Sequence, residues 1–185
     1  MTIETKNKLD FAIIESQKLE ISLNGIEFVV DLRARTSLSC FKIARQHYLS
    51  ILLLLGNKPQ LASSAHAIFR VFLEAALRGE WIYHCATEEQ IRHFLESNKG
   101  QLDMSSLINA IDKKLGNIGL HQIVYKEMWP ILSAYTHTYS RYGSILFTVN
   151  DIESIYSDQQ IQMLIDWSNR ILKLIFSTIS SISDK

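Results

Sequence analysis

The chain has 185 residues, 47% hydrophobic and 21% charged, proportions that suit one globular domain and exclude a disordered tail protein. Its 19 Lys and Arg balance 19 Asp and Glu, whereas a protein that coats nucleic acid normally carries an excess of cations. Two cysteines, Cys40 and Cys85, cannot make a disulfide framework, and no CxxC pair exists for zinc or redox work, so neither metal nor cofactor is expected. Residues 1–10 mix Lys and Glu without an apolar signal core, and the apolar run 51–55 is far shorter than the roughly 18–20 residues of a membrane span. A cytoplasmic protein that does not enter membranes is the expectation.

The elements follow in chain order. Phe11, Ile14, Lys18 and Ile21 recur at three and four residues, so residues 5–23 read as an amphipathic helix with that face inward. Asn24-Gly25 is a turn signal. Residues 31–55 carry Leu38, Phe41, Ala44, Tyr48, Ile51, Leu52 and Leu55 at helical spacing, with Asp31 placed to cap. Pro59 stands where a third helix can begin. Thr87-Glu88-Glu89-Gln90 has the capping-box pattern and opens a short helix through Ile91, Phe94 and Leu95. Ile108, Ile111 and Leu115 mark another. Ser157-Asp158-Gln159-Gln160 repeats the box before a long last helix with Ile161, Leu164, Ser168, Ile171, Leu172, Ile175 and Ile179 on one face. Only residues 26–30 and 145–149 look strand-like. The reading is therefore an all-α single domain over residues 1–185, a bundle of about six or seven helices.

Residues 59–85 are unlike the rest. At about 100° per residue, His66, Arg70, Glu74, Arg78, Trp81 and His84 fall on one stripe, and most remaining positions are apolar. A helix apolar nearly all round is buried, which makes this the central member. Spacing of four sets Glu74 between Arg70 and Arg78. Buried charges need partners, and this trio carries a net positive charge that calls for a further acceptor. Two readings compete: a structural ladder that fixes helix packing, or an anion site in which arginine makes planar bidentate contacts. A second cluster, Tyr135 to Tyr142, contains His137 and Arg141. Its tyrosines read as amphipathic packing with wet hydroxyls, while His137, set among hydroxyls and an arginine, is the better candidate for proton transfer.

The helix run Arg70-x3-Glu74-x3-Arg78-Gly79-x-Trp81, with Trp129 and Tyr135-Thr136-His137 some fifty residues on, resembles a little-characterised set of small bacterial helical proteins, which implies the same fold and ranks those residues. The spacing Arg78 to His84 also resembles, more loosely, the R-x(4–6)-H pattern of the HEPN superfamily, although Gly79 stands where that pattern has a polar residue. That resemblance implies a dimeric, metal-independent ribonuclease of phage-defence or toxin type, in which Arg78 would steady a phosphate while His84 moved a proton, with His137 a further candidate from its own surroundings. Motifs for phosphate loops, dinucleotides, zinc proteases and serine hydrolases are missing.

Three functions stand side by side: a helical interaction protein whose Arg/Glu/His cluster is largely buried; the HEPN-like ribonuclease acting on RNA; and a sensor that binds a small anion or nucleotide through Arg70 and Arg78, with His66, Glu74, Trp81, Tyr135 and Arg141 around it. A homo-oligomer is expected, because isoleucines 171, 175 and 179 add a second apolar face that one small chain does not readily bury.

Overall fold

The computed structural model describes residues 1–24, 31–96, 102–130, 132 and 156–183. These hold seven helices: α1 (Ile3–Asn24), α2 (Leu32–Gly56), α3 (Ala62–His84), α4 (Glu88–Glu96), α5 (Met104–Lys114), α6 (His121–Met128) and α7 (Asp158–Ser183). There is no strand among the described residues, so the fold is all-α. The two strand-like segments of the sequence lie outside them.

Local chemistry sets the helix starts. Asp31 accepts a hydrogen bond from Ala34 N–H at 2.8 Å, and Asp103 does the same for Ser106 N–H at 3.0 Å. Both expected capping boxes close reciprocally: Thr87 N–H donates to Gln90 Oε1 while Gln90 N–H donates to Thr87 Oγ1, and Ser157 and Gln160 repeat the exchange. Each box satisfies donors that a helix start otherwise leaves open.

The packing is built on α2 and α3, with α1 and α7 laid along them and α5 against α3. Phe69, Phe72, Leu73, Ala76 and Leu77 of α3 are buried against Phe41, Ala44 and Tyr48 of α2. Tyr48 ties three helices together: its hydroxyl hydrogen-bonds Asn169 Oδ1 of α7 at 2.7 Å and lies 3.2 Å from the Ala12 carbonyl of α1. Asp158, at the start of α7, accepts from Thr2 N–H and from the Thr5 hydroxyl. These bonds hold its carboxyl down at about 2. α3 is central as expected, although it is not sealed all round, since Val71 is 42% exposed.

Two expectations about faces are corrected. In α1 the inward residues are Thr5, Leu9, Ala12, Ser16 and Leu19, whereas Ile3, Phe11, Ile14 and Ile21 are exposed. Both stripes have helical period and lie about 180° apart, so periodicity could not choose between them. The inward stripe is the one with Ala12 and Ser16, which let α1 approach its neighbours closely. In α7, Ile171, Ile175 and Ile179 are buried within the chain itself, because α7 packs against α1, α2 and α3. They therefore do not form the second, unburied apolar face that was expected.

Candidate functional site

The polar stripe of α3 divides into separate arrangements. His66 is buried. Its Nδ1–H donates to the Ala62 carbonyl at 2.8 Å, and its ring stacks on Tyr156 with centroids 4.6 Å apart. Burial pushes its pKa below the ordinary histidine value, against the opposing effect of the Ala62 hydrogen bond. Arg70 pairs with Glu74 (Nε to Oε1, 3.3 Å) and lies over the Trp129 ring at 4.9 Å from its centroid. The largely buried cluster expected from the sequence is therefore only partly buried, since Arg70 and Glu74 keep 26% and 31% of their side chains exposed. Exposed pairs of this kind contribute about 0–1 kcal/mol. Glu74→Ala should therefore shift the denaturation free energy by less than about 1 kcal/mol, which chemical unfolding would read.

Arg78 points elsewhere. It lines a pocket of about 220 Å³ between α3, α4 and α5, with Trp81, Glu89, His93, Phe94 and Leu107. No carboxylate among the described residues forms an ion pair with it. Its charge reaches the buried Cys40 thiol, which desolvation pushes up to about 11 while Arg78 pulls the other way.

His84 faces α7. Its Nε2 lies 3.1 Å from Thr178 Oγ1 and 3.4 Å from Glu80 Oε2, and the Thr178 hydroxyl donates to Glu80 Oε2 at 2.7 Å. Because the hydroxyl proton is committed to the carboxyl, His84 donates from Nε2–H. The result is a relay from a histidine 20% exposed to a glutamate fully buried. The other carboxyl oxygen, Glu80 Oε1, is buried and makes no hydrogen bond. Burial pushes the Glu80 carboxyl above the usual carboxylate range, while bonds from His84 and Thr178 and the His84 charge pull it partly back. Such a chain can hold and pass a proton. With Thr178 buried, its hydroxyl is not placed to attack a substrate.

Arg78 and His84 thus meet different neighbours, about 120° apart around α3. His137, Tyr135 and Arg141 lie outside the described residues. The sequence reading passed over Glu80. The available signal was its spacing of four from His84, the same relation that singled out Arg70 and Glu74. Arg33 was passed over too. It caps the far end of α3, donating from Nη1 to the Ile82 carbonyl at 2.8 Å and to Tyr83 O at 3.3 Å, which satisfies carbonyls that a helix end leaves open.

Among the described residues no helix is long and apolar enough to cross a membrane, and no group of three or more His, Cys, Asp or Glu is placed to hold a metal ion. Fold and polar sites together define a small helical-bundle protein with a pocket at Arg78 and a buried hydrogen-bonded chain from His84 through Thr178 to Glu80. The chain belongs to DUF6988, a family of unknown function, which it matches over residues 41–185. That span contains Arg78, Glu80, His84 and Thr178. Neither the curated proteins nor the solved structures provide a match.

Proposed function

We propose that the protein is a helical binding protein whose pocket between α3, α4 and α5 takes a small anionic ligand through Arg78. One observation carries this reading: the half-buried Arg78 guanidinium opens into a pocket walled by Trp81, Phe94, Leu102 and Leu107 and has no acid pair among the described residues. Ligand pockets are mostly apolar with a few placed polar groups, and a guanidinium matches carboxylate or phosphate oxygens two at a time. Glu89 and His93 at the same pocket suit a ligand that also offers a donor group. A flat molecule with an acid at one end, such as an aromatic acid or a nucleoside monophosphate, fits this description. The ribonuclease alternative has less support, since Arg78 and His84 do not face one phosphate position.

Trp81 reports on the pocket directly. Titration with adenosine monophosphate and with benzoate should quench tryptophan fluorescence saturably for at least one of them. Arg78→Gln should weaken that binding at least tenfold, about 1.4 kcal/mol. Saturable quenching unaltered by Arg78→Gln, or none with either probe, would remove the reading. Incubating the parent with mixed RNA in a chelator tests the alternative in parallel, since cleavage abolished by His84→Ala would favour it.

Self-association is a second reading, carried by a different observation. Ile3, Phe11, Ile14 and Ile21 are exposed on one side of α1, with Ile3 at 81% and Ile21 at 72%, and with Asn7 and Lys18 between them. Exposed apolar patches of this kind mark interaction sites, and two-fold dimers are the commonest assembly. Phe11→Glu together with Ile14→Lys should turn a sedimenting dimer into a folded monomer. A parent that sediments as a monomer at high micromolar concentration would end this reading.

A further inference from the structure

A groove that shares no lining residue with the Arg78 pocket has the composition of an amphiphile site. It lies between α6 and α7 and measures about 440 Å³, within the size range of pockets for organic ligands. Leu120, Ile123 and Met128 form one wall, and Ile171 and Leu174 form the other. Ile118, half exposed, also lines the groove. It stands in the turn between α5 and α6, in which Gly116, Asn117 and Gly119 all have positive φ. Arg170 and Lys173 line the same groove. They stand three residues apart on α7, hence side by side, both exposed. Neither forms an ion pair with an acid among the described residues, although other surface cations do, as Lys8 with Asp166 and Arg45 with Glu20. The nearby α6 N-terminus is already satisfied, because the Asp112 carboxylate accepts from Leu120 N–H at 3.1 Å and His121 N–H at 3.2 Å. The positive charge offered to a ligand is therefore that of the two side chains.

We propose that this groove binds a single-chain fatty acid, with the hydrocarbon chain between α6 and α7 and the carboxylate on Arg170 and Lys173. Apolar walls alone would accept any hydrophobic segment. Two cations at the rim that pair with no acid among the described residues select an occupant that joins an apolar body to one anionic head. A helix of a partner protein would need an acidic residue at one point beside a run of apolar ones, and the test separates the two. The site is distinct from the Arg78 pocket and does not depend on it.

Titration calorimetry of the full chain with dodecanoate below its micelle concentration should show one saturable site. Dodecanol, which has the same chain without the charge, should bind at least tenfold more weakly, and inorganic phosphate should give no signal. Arg170→Gln with Lys173→Gln, both exposed and so tolerable to folding, should erase the preference for the acid over the alcohol. Ile118→Asp should weaken dodecanoate several-fold while leaving circular dichroism unchanged. Equal affinity for acid and alcohol, binding that fails to saturate at one molecule per chain, or a double variant indistinguishable from the parent would each overturn the proposal, and would leave the groove to a macromolecular partner.

Discussion

Gly79→Ala is expected to destabilise the protein by about 2 kcal/mol, the middle of the range for overpacking a filled core. On propensity alone the change should help, since alanine is about 1 kcal/mol better than glycine inside a helix. Packing reverses the sign. A Cβ on Gly79 would stand 2.5 Å from Phe41 Cε1 and 2.7 Å from Cδ1, closer than non-bonded carbons come. Phe41 is fully buried and has no open space to turn into. At the same level Ser37 Oγ donates to the Gly79 carbonyl at 2.9 Å, a bond that fixes the separation of α2 and α3 from the other side. The melting point should fall by about 4–8 °C for a chain of this size. Phe41→Leu trims the ring edge that collides. The double variant Phe41→Leu with Gly79→Ala should therefore lose less than the two single losses combined, by about 1 kcal/mol. A Gly79→Ala protein as stable as the parent would show that the helices part without cost, and that the glycine between Arg78 and Glu80 has another purpose.

That close approach explains part of what the sequence could and could not say. The starts of α2, α4 and α7 and the central place of α3 were legible, because the Asp31 cap, the capping boxes at Thr87 and Ser157 and the apolar surface around Phe72 and Leu73 are local signals, whereas α3 begins at Ala62 and not at Pro59. The inward face of α1 was not legible. Its two stripes repeat at the same spacing, and the choice fell to the stripe with the smaller side chains, a matter of what α2 and α7 leave room for. α6 left no trace, because its i to i+5 winding does not match the period sought. The Arg70–Glu74 pair followed from spacing alone, but its exposure did not, since exposure depends on which neighbours cover that side of α3.

The candidate sites show the same division. Residue type and spacing pointed to Arg78 and His84, yet they are directed to different neighbours, Arg78 to the α4 and α5 side and His84 to α7. The partner that matters to His84 is 94 residues away, Thr178, and the turn-to-turn relation that brings Glu80 beside it was overshadowed by the arginines. A glutamate in an apolar helix reads as surface until the fold is known. Here it is the most deeply buried acid among the described residues.

Glu80 gives the other large effect. Glu80→Ala should cost about 2–4 kcal/mol, because it opens a cavity and leaves the Thr178 hydroxyl without its buried acceptor. Glu80→Gln keeps an acceptor oxygen and most of the volume, so it should cost less, and its cost should depend on pH. Burial raises the Glu80 pKa in the folded state, so the native protein holds a proton that the unfolded chain releases near the ordinary value of 4.5. Between that value and the raised one the native state binds more protons, and stability must fall as pH rises. The stabilisation linked to Glu80 is thus complete below pH 4.5 and is lost as pH passes the folded value. His66 acts in the opposite sense. Its pKa is lowered from 6.5, so its share is complete above pH 6.5 and declines as pH falls through the folded value. The difference between parent and Glu80→Gln isolates the first slope, because His66 is common to both. In urea unfolding the advantage of the parent over Glu80→Gln should be largest near pH 5 and should shrink as pH is raised from there to 8. A difference that stays constant across this range, or that grows with pH, would mean that Glu80 is ionised in the folded protein and that the relay from His84 through Thr178 does not hold a proton.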